Sequence, residues 1–115
     1  SMENDLARGG VTVALRGAGT PDLEISLSAM LDRGFFVRAA PRLEQFLKTT
    51  RARITLRVDG LRVPQFDDLG RLLRPLARYG DRVFIVLDEK LRGLVPIDSS
   101  VFNLILAQPG NRLES

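Results

Sequence analysis

The sequence predicts an α/β sandwich, in which a mixed, largely parallel sheet of four to five strands packs with three to four helices. Short segments with alternating or continuous apolar residues are separated by longer segments whose apolar residues recur at helical spacing. Strands that alternate with helices favour a parallel sheet, because each crossover returns the chain to the same edge of the sheet. The length of 115 residues and the hydrophobic fraction of 44% suit one such domain.

Four segments carry the strand pattern. Apolar residues alternate with polar ones at positions 11–15, 23–27 and 54–58. The run VFIVL at 83–87 is continuous, which is typical of a strand covered on both faces, and we expect it to be the central strand. Residues 95–97 are expected to add a short extended piece.

The first helical segment lies between the second and third strands. Leu43, Phe46 and Leu47 are spaced so that they share one face of a helix. We expect this helix to begin near residues 39–40, because Pro41 is tolerated in a first turn.

The second helical segment begins at Asp67 or Asp68, whose side chains can accept the free N–H groups of a helix start. Pro75 predicts a kink or a restart, because proline removes one backbone hydrogen bond and clashes with the preceding turn. The apolar stripe of this helix consists of Leu69, Leu72, Leu73 and Leu76.

The segment SSVFNLILA at 99–107 has two interpretations. It predicts a last helix, capped by Asp98 or Ser99. The run VFNLIL within it also fits a strand, because a short apolar run does not decide between the two. As a helix, the segment would pack through Val101, Phe102, Ile105 and Leu106.

The ends of the chain are more polar than its middle. We expect residues 1–10 to form a flexible N-terminus, residues 11–107 a single domain and residues 108–115 a polar C-terminal tail. No apolar run approaches the ~18 residues of a membrane span, and the first residues lack the pattern of a secretory signal. The sequence therefore predicts a cytoplasmic protein without a membrane span.

The composition excludes most familiar catalytic sites. The chain has no cysteine and no histidine, so it lacks thiolate nucleophiles, the commonest general base and the commonest zinc ligand. Its glycines form no phosphate-binding or dinucleotide-binding loop. We therefore expect no enzymatic activity, no cofactor and no metal site.

Three segments between residues 22 and 107 are similar to parts of one known family. SAMLDR matches an early Gly-x-Leu-Asp turn, with Ala29 in place of the glycine and with Leu31 and Asp32 as expected. ITLRVDGLRVPQFDDLGRLLRPLARYGDRVFIV matches the family's centre, and LDEKLRGLVPIDSSVFNLILA matches its tail. In this order the segments resemble the STAS domain, the fold of bacterial anti-sigma factor antagonists. The resemblance implies a STAS-like sandwich with a regulatory, non-enzymatic function.

The resemblance also implies where a partner binds. The family keeps a phosphorylatable serine in the loop before its central helix, whereas this chain has Asp67 and Asp68 there. A carboxylate at a helix start supplies part of the charge of a phosphate, so the usual phosphorylation switch is expected to be absent or altered. The implied partner-binding residues at this loop and helix start are Gln65, Phe66, Asp67, Asp68, Leu69, Gly70, Arg71 and Arg74.

Ser99 and Ser100 are the remaining candidates for phosphorylation. The string IDSSV matches the family's serine signature better than FDDLG does. However, almost no chain follows it, and the signature should precede a helix and further strands. The order of elements therefore favours a capping role for Asp98 or Ser99 over a serine switch.

The expected function is a signalling or assembly module that binds a protein, such as a kinase-like regulator or an assembly component, with a homodimer as a further candidate. The alternative is a basic α/β module that binds nucleic acid. Cations exceed acids by 17 to 14, and Arg71, Arg74 and Arg78 can share one helix face that binds phosphate. A solvated outer face is the favoured explanation of these arginines, and aromatic residues for stacking on bases are sparse.

Overall fold

The computed structural model describes residues 12–16, 22–28, 32–62 and 65–107. The predicted flexible N-terminus and polar C-terminal tail lie outside the described residues. A five-stranded sheet forms the centre of the fold, and its strands follow one another in sequence order. The strands are β1 Thr12–Arg16, β2 Asp22–Ser28, β3 Ile54–Gly60, β4 Val83–Asp88 and β5 Asn103–Ala107.

Four of the strands are parallel. β2, β3, β4 and β5 run in the same direction, and β1 pairs with β2 in the antiparallel sense. Each parallel pair is joined by a crossover, since parallel neighbours cannot be joined by a tight turn. The predicted α/β fold with a largely parallel sheet is therefore confirmed.

Two α-helices form the first two crossovers. Helix α1 spans Arg33–Thr49 between β2 and β3, and helix α2 spans Phe66–Leu73 between β3 and β4. A 3-10 helix, Arg74–Arg82, continues from α2, and a short 3-10 turn, Glu89–Leu91, follows β4. The prediction of three to four helices is wrong for the described residues, which contain two α-helices, because the segment expected to form the last helix is a strand.

Helix α1 begins six to seven residues earlier than the sequence predicts. Asp32 adopts an extended backbone, and its Oδ1 atom accepts a hydrogen bond of 2.8 Å from the backbone N–H of Phe35. This N-cap starts the helix at Arg33, so Pro41 lies inside the helix and not in its first turn. In contrast, the effect predicted for Pro75 is confirmed, because α2 ends at Leu73 and a 3-10 helix begins at Arg74.

The predicted last helix is wrong, and its second interpretation, a strand, is correct. Residues 103–107 pair in parallel with β4, from Asn103 beside Phe84 to Ala107 beside Asp88. The Nδ2 group of Asn103 donates hydrogen bonds of 3.1–3.3 Å to the carbonyl oxygens of Gly80, Asp81 and Val83. These contacts hold the start of the strand in place. The extended piece expected at 95–97 is not a strand of the sheet.

One face of the sheet forms the hydrophobic core with the helices. Crossovers between parallel strands are right-handed in nearly all proteins. Here each crossover leads to the next strand on the same side of the sheet order, so the helices all lie on one face. The predicted stripe of α2 is buried there, together with Leu76 of the 3-10 helix. The inward strand residues are Leu23, Ile25, Leu27, Ile54, Leu56, Val58, Val83, Ile85 and Leu87.

Asp22 links β2 to the start of β3. Its carboxylate accepts a hydrogen bond of 3.1 Å from the backbone N–H of Arg53 and one of 2.8 Å from the guanidinium Nη2. The side-chain hydrogen bond from Arg53, followed by the backbone hydrogen bond, lowers the pKa of Asp22.

We expect this pair to make the free energy of unfolding fall in acid. Because the pKa of Asp22 is lower in the folded than in the unfolded chain, its contribution is complete above the unfolded value of about 3.9 and is lost as the pH falls through the folded value. Asp22→Asn should flatten this part of the stability curve, measured by urea denaturation across the acid range. Arg53→Ala should flatten it as well, and an unchanged slope in both variants would contradict the assignment.

Candidate partner-binding site

The starts of α1 and α2 lie beside each other because of the sheet topology. β2 and β3 are parallel neighbours, so the helices that follow them both begin at the carboxyl edge of the sheet. The two helices also pack against each other. In open α/β sheets this edge is the usual place for a binding site.

An ion-pair cluster of Arg33, Asp68 and Arg71 joins the two helix starts. The Oδ1 atom of Asp68 lies 3.2 Å from Nε of Arg33 and accepts a hydrogen bond of 3.0 Å from Nη1 of Arg71. The Asp68 side chain is 9% exposed, whereas those of Arg33 and Arg71 are 74% and 58% exposed. The carboxylate is therefore shielded, and the two guanidinium groups face solvent.

A groove of about 440 Å³ lies beside this cluster. Its apolar wall comes from α1, where Phe36 is buried, Ala40 is half-buried and Val37 is 65% exposed. An exposed valine beside two guanidinium groups gives the groove one apolar and one cationic side. The lining residues are Arg33, Phe36, Val37, Ala40, Asp68 and Arg71.

The predicted partner-binding residues divide into a surface group and a buried group. Asp67, Arg71 and Arg74 are exposed, and Asp68 reaches the groove through its paired carboxylate. Phe66 and Leu69 are 4% and 0% exposed and belong to the core. Gln65 and Gly70 are half-buried, and a Cβ at Gly70 would lie 3.3 Å from Pro96.

The two aspartates do not cap α2 as the sequence predicts. The N-cap is Gln65, which makes no side-chain capping hydrogen bond, and both aspartates lie in the first turn. Oε1 of Gln65 accepts a hydrogen bond of 3.0 Å from the backbone N–H of Arg62. Because Asp68 is already paired with two arginines, the exposed carboxylate of this turn, which supplies part of the charge of a phosphate, is that of Asp67.

Ser99 and Ser100 lie in a turn before β5. The Oδ1 atom of Asp98 accepts hydrogen bonds from the Ser100 hydroxyl, at 2.6 Å, and from the Ser100 backbone N–H, at 2.9 Å. The hydroxyl hydrogen bond, followed by the backbone one, lowers the pKa of Asp98. Asp98 therefore caps a turn and not a helix, while both serines are exposed.

The sequence interpretation missed Arg33 and Val37. Both become visible once Asp32 is recognised as a helix N-cap, because Arg33, Val37 and Ala40 then follow at i, i+4 and i+7 on one face. The glycine at position 34 obscures this signal, because glycine is frequent in turns and unfavourable inside helices. It lies within the first turn of α1 and is half-buried.

The described residues contain no cluster of side chains of the kind that holds a metal ion. No group of three or more acidic side chains lies close enough there to hold one. In the same residues no helix is both long and apolar enough to cross a membrane.

No family model matches the chain, and no curated protein or solved structure is significantly similar to it.

Proposed function

We propose that the chain is a STAS-like, non-enzymatic interaction domain of the cytoplasm that docks a protein partner at the carboxyl edge of its sheet. The observation that carries the proposal is the exposed surface at the start of α2. Asp67 faces solvent in the first turn, Arg71 lines the groove against α1 from the same helix, and Arg74 is exposed directly after the helix ends. Loops and helix starts on a rigid sheet are frequent binding sites.

The order of elements also supports a STAS-like assignment. From β2 to β4 the order strand, helix, strand, helix, strand agrees with the order on which the resemblance rests, whereas its tail departs from it, because β5 replaces the expected last helix. Asp67 and Asp68 stand where the family keeps its phosphorylatable serine, so the proposed contact does not depend on phosphorylation of that loop. The partner would be a kinase-like regulator or an assembly component.

Site-specific photo-crosslinking in the native host tests the location of the contact. A photoreactive residue at Asp67 should capture a defined protein, because that side chain is exposed at the proposed surface. The matched control is the same residue at Arg51, which is exposed before β3 and therefore lies at the opposite edge of the sheet.

The identity of the captured material separates the alternatives. A protein recovered from the Asp67 position and not from the Arg51 position would support the proposal. Equal recovery from both positions would contradict it. Nuclease-sensitive material at Asp67 would replace it with the nucleic-acid-binding alternative.

A further inference from the structure

The Arg33–Asp68–Arg71 cluster has one positive charge in excess. Two guanidinium groups share a single carboxylate oxygen, at 3.2 Å from Arg33 and 3.0 Å from Arg71. Among the residues that the structure describes, neither arginine lies within ion-pair distance of a second acidic side chain. Guanidinium groups bind carboxylates through pairs of N–H donors, so the outer sides of these two arginines suit an incoming carboxylate.

The apolar wall of the groove restricts what can bring that carboxylate. Val37 is 65% exposed, and Phe36 and Ala40 line the recess beside it. A ligand that covers this wall removes apolar surface from water, which a small inorganic anion cannot do. The groove volume of about 440 Å³ lies toward the lower end of the ~300–1,000 Å³ of small-molecule sites, which suits one or two side chains.

We propose that this groove binds a protein segment in which an acidic side chain lies next to a large apolar one. The carboxylate of the segment bridges Arg33 and Arg71, and the apolar side chain covers Val37. This inference rests on the proposed function and gives the chemistry of the partner at that site. Arg33 and Val37 thus act as specificity residues on α1, outside the loop from which the site was first predicted.

Nucleic acid fits the groove less well. Single-stranded nucleic acid is bound through exposed aromatic platforms and a row of cations. The aromatic side chain that lines the groove, Phe36, is 2% exposed and packs edge-on against Phe35.

Selection from a random peptide library displayed on phage tests the proposal with the full chain as bait. The expected result is enrichment of peptides with aspartate or glutamate next to leucine, isoleucine, phenylalanine or methionine. Enriched peptides should bind Arg33→Gln and Val37→Ser each about tenfold more weakly, a loss of about 1.4 kcal/mol at 25 °C. Both side chains are largely exposed, so these variants should fold, which circular dichroism will verify.

Arg51→Gln is the matched control, because it removes one exposed arginine far from the groove. The proposal would be overturned if the enriched peptides contained no acidic residue. It would also be overturned if Arg33→Gln and Arg51→Gln weakened peptide binding to the same extent. A partner crosslinked at Asp67 whose binding is unaffected by Arg33→Gln would overturn it too, while leaving the proposed function intact. If no protein were captured at Asp67 while peptides were still selected at the groove, only the proposed function would be contradicted.

Discussion

Replacing Gly80 by alanine should destabilise the protein by about 3 kcal/mol, because the added methyl group has no space. A Cβ at this position would overlap the carbonyl oxygen of Val101, and it would lie 2.9 Å from the carbonyl carbon and 3.0 Å from Cγ1 of the same residue. The nearest obstacle is backbone, which cannot rotate away as a flexible side chain would. Gly80 also accepts a hydrogen bond of 3.2 Å from Asn103, so its displacement would disturb the start of β5.

Gly93→Ala is the matched control for this variant. A Cβ at Gly93 would meet no atom within 4 Å, so the change in stability should be within about 0.5 kcal/mol. Urea denaturation of the two variants makes the comparison directly. Equal stability would contradict the close packing of the 3-10 helix against the segment that enters β5.

The core could be predicted from the sequence because its signals are local. Alternation of apolar residues located β2 and β3, since a strand with one buried face has a period of two. The spacing of Leu69, Leu72 and Leu73 located the buried face of α2 for the corresponding reason. Pro75 placed the change of helix type, because a missing N–H is a property of the residue itself.

The strand β5 could not be decided in the same way. Its side chains are half-buried on both faces and Ile105 is 39% exposed, so burial in this strand has no clear period. What favours the strand is its register with β4 and the contacts of Asn103 with three carbonyl oxygens about 20 residues earlier. Those contacts form only when the chain is folded, and neither propensity nor periodicity contains them.

Only the part of the candidate site that lies on α2 could be predicted from the sequence, for a similar reason. Asp68 and Arg71 are three residues apart on one helix, so their ion pair follows from helical geometry. Arg33 is 35 residues from Asp68 and reaches it because parallel neighbours start their helices at the same edge. Predicting that contact requires both the N-cap at Asp32 and the order of strands.

Arg82 caps the end of α1 from a distant part of the chain. We expect its loss to lower the free energy of unfolding by about as much as Gly80→Ala does. Its Nη1 donates hydrogen bonds of 2.9 Å to the carbonyl oxygens of Thr50 and Ala52, and its Nη2 donates one of 2.6 Å to that of Leu47. The last carbonyl groups of a helix have no partner within the helix, and a cation there also interacts favourably with the helix dipole.

Arg82→Ala should therefore destabilise the protein by about 3 kcal/mol, because it leaves these oxygens without their charged donor. The midpoint of thermal unfolding should fall by roughly 10 °C. Arg82→Lys should lie between the variant and the parent, since a lysine keeps the charge without the planar fork that reaches several carbonyls.

The control for Arg82 is Arg78→Ala. Both guanidinium groups lie near the ring of Tyr79, at 5.6 Å for Arg82 and 6.0 Å for Arg78, but Arg78 is exposed and only Arg82 reaches the carbonyls at the end of α1. Similar losses in the two alanine variants would assign the effect to the aromatic contact or to net charge. A loss confined to Arg82→Ala, with faster hydrogen exchange in the last turn of α1, would show that one side chain holds the first crossover helix to the start of β4.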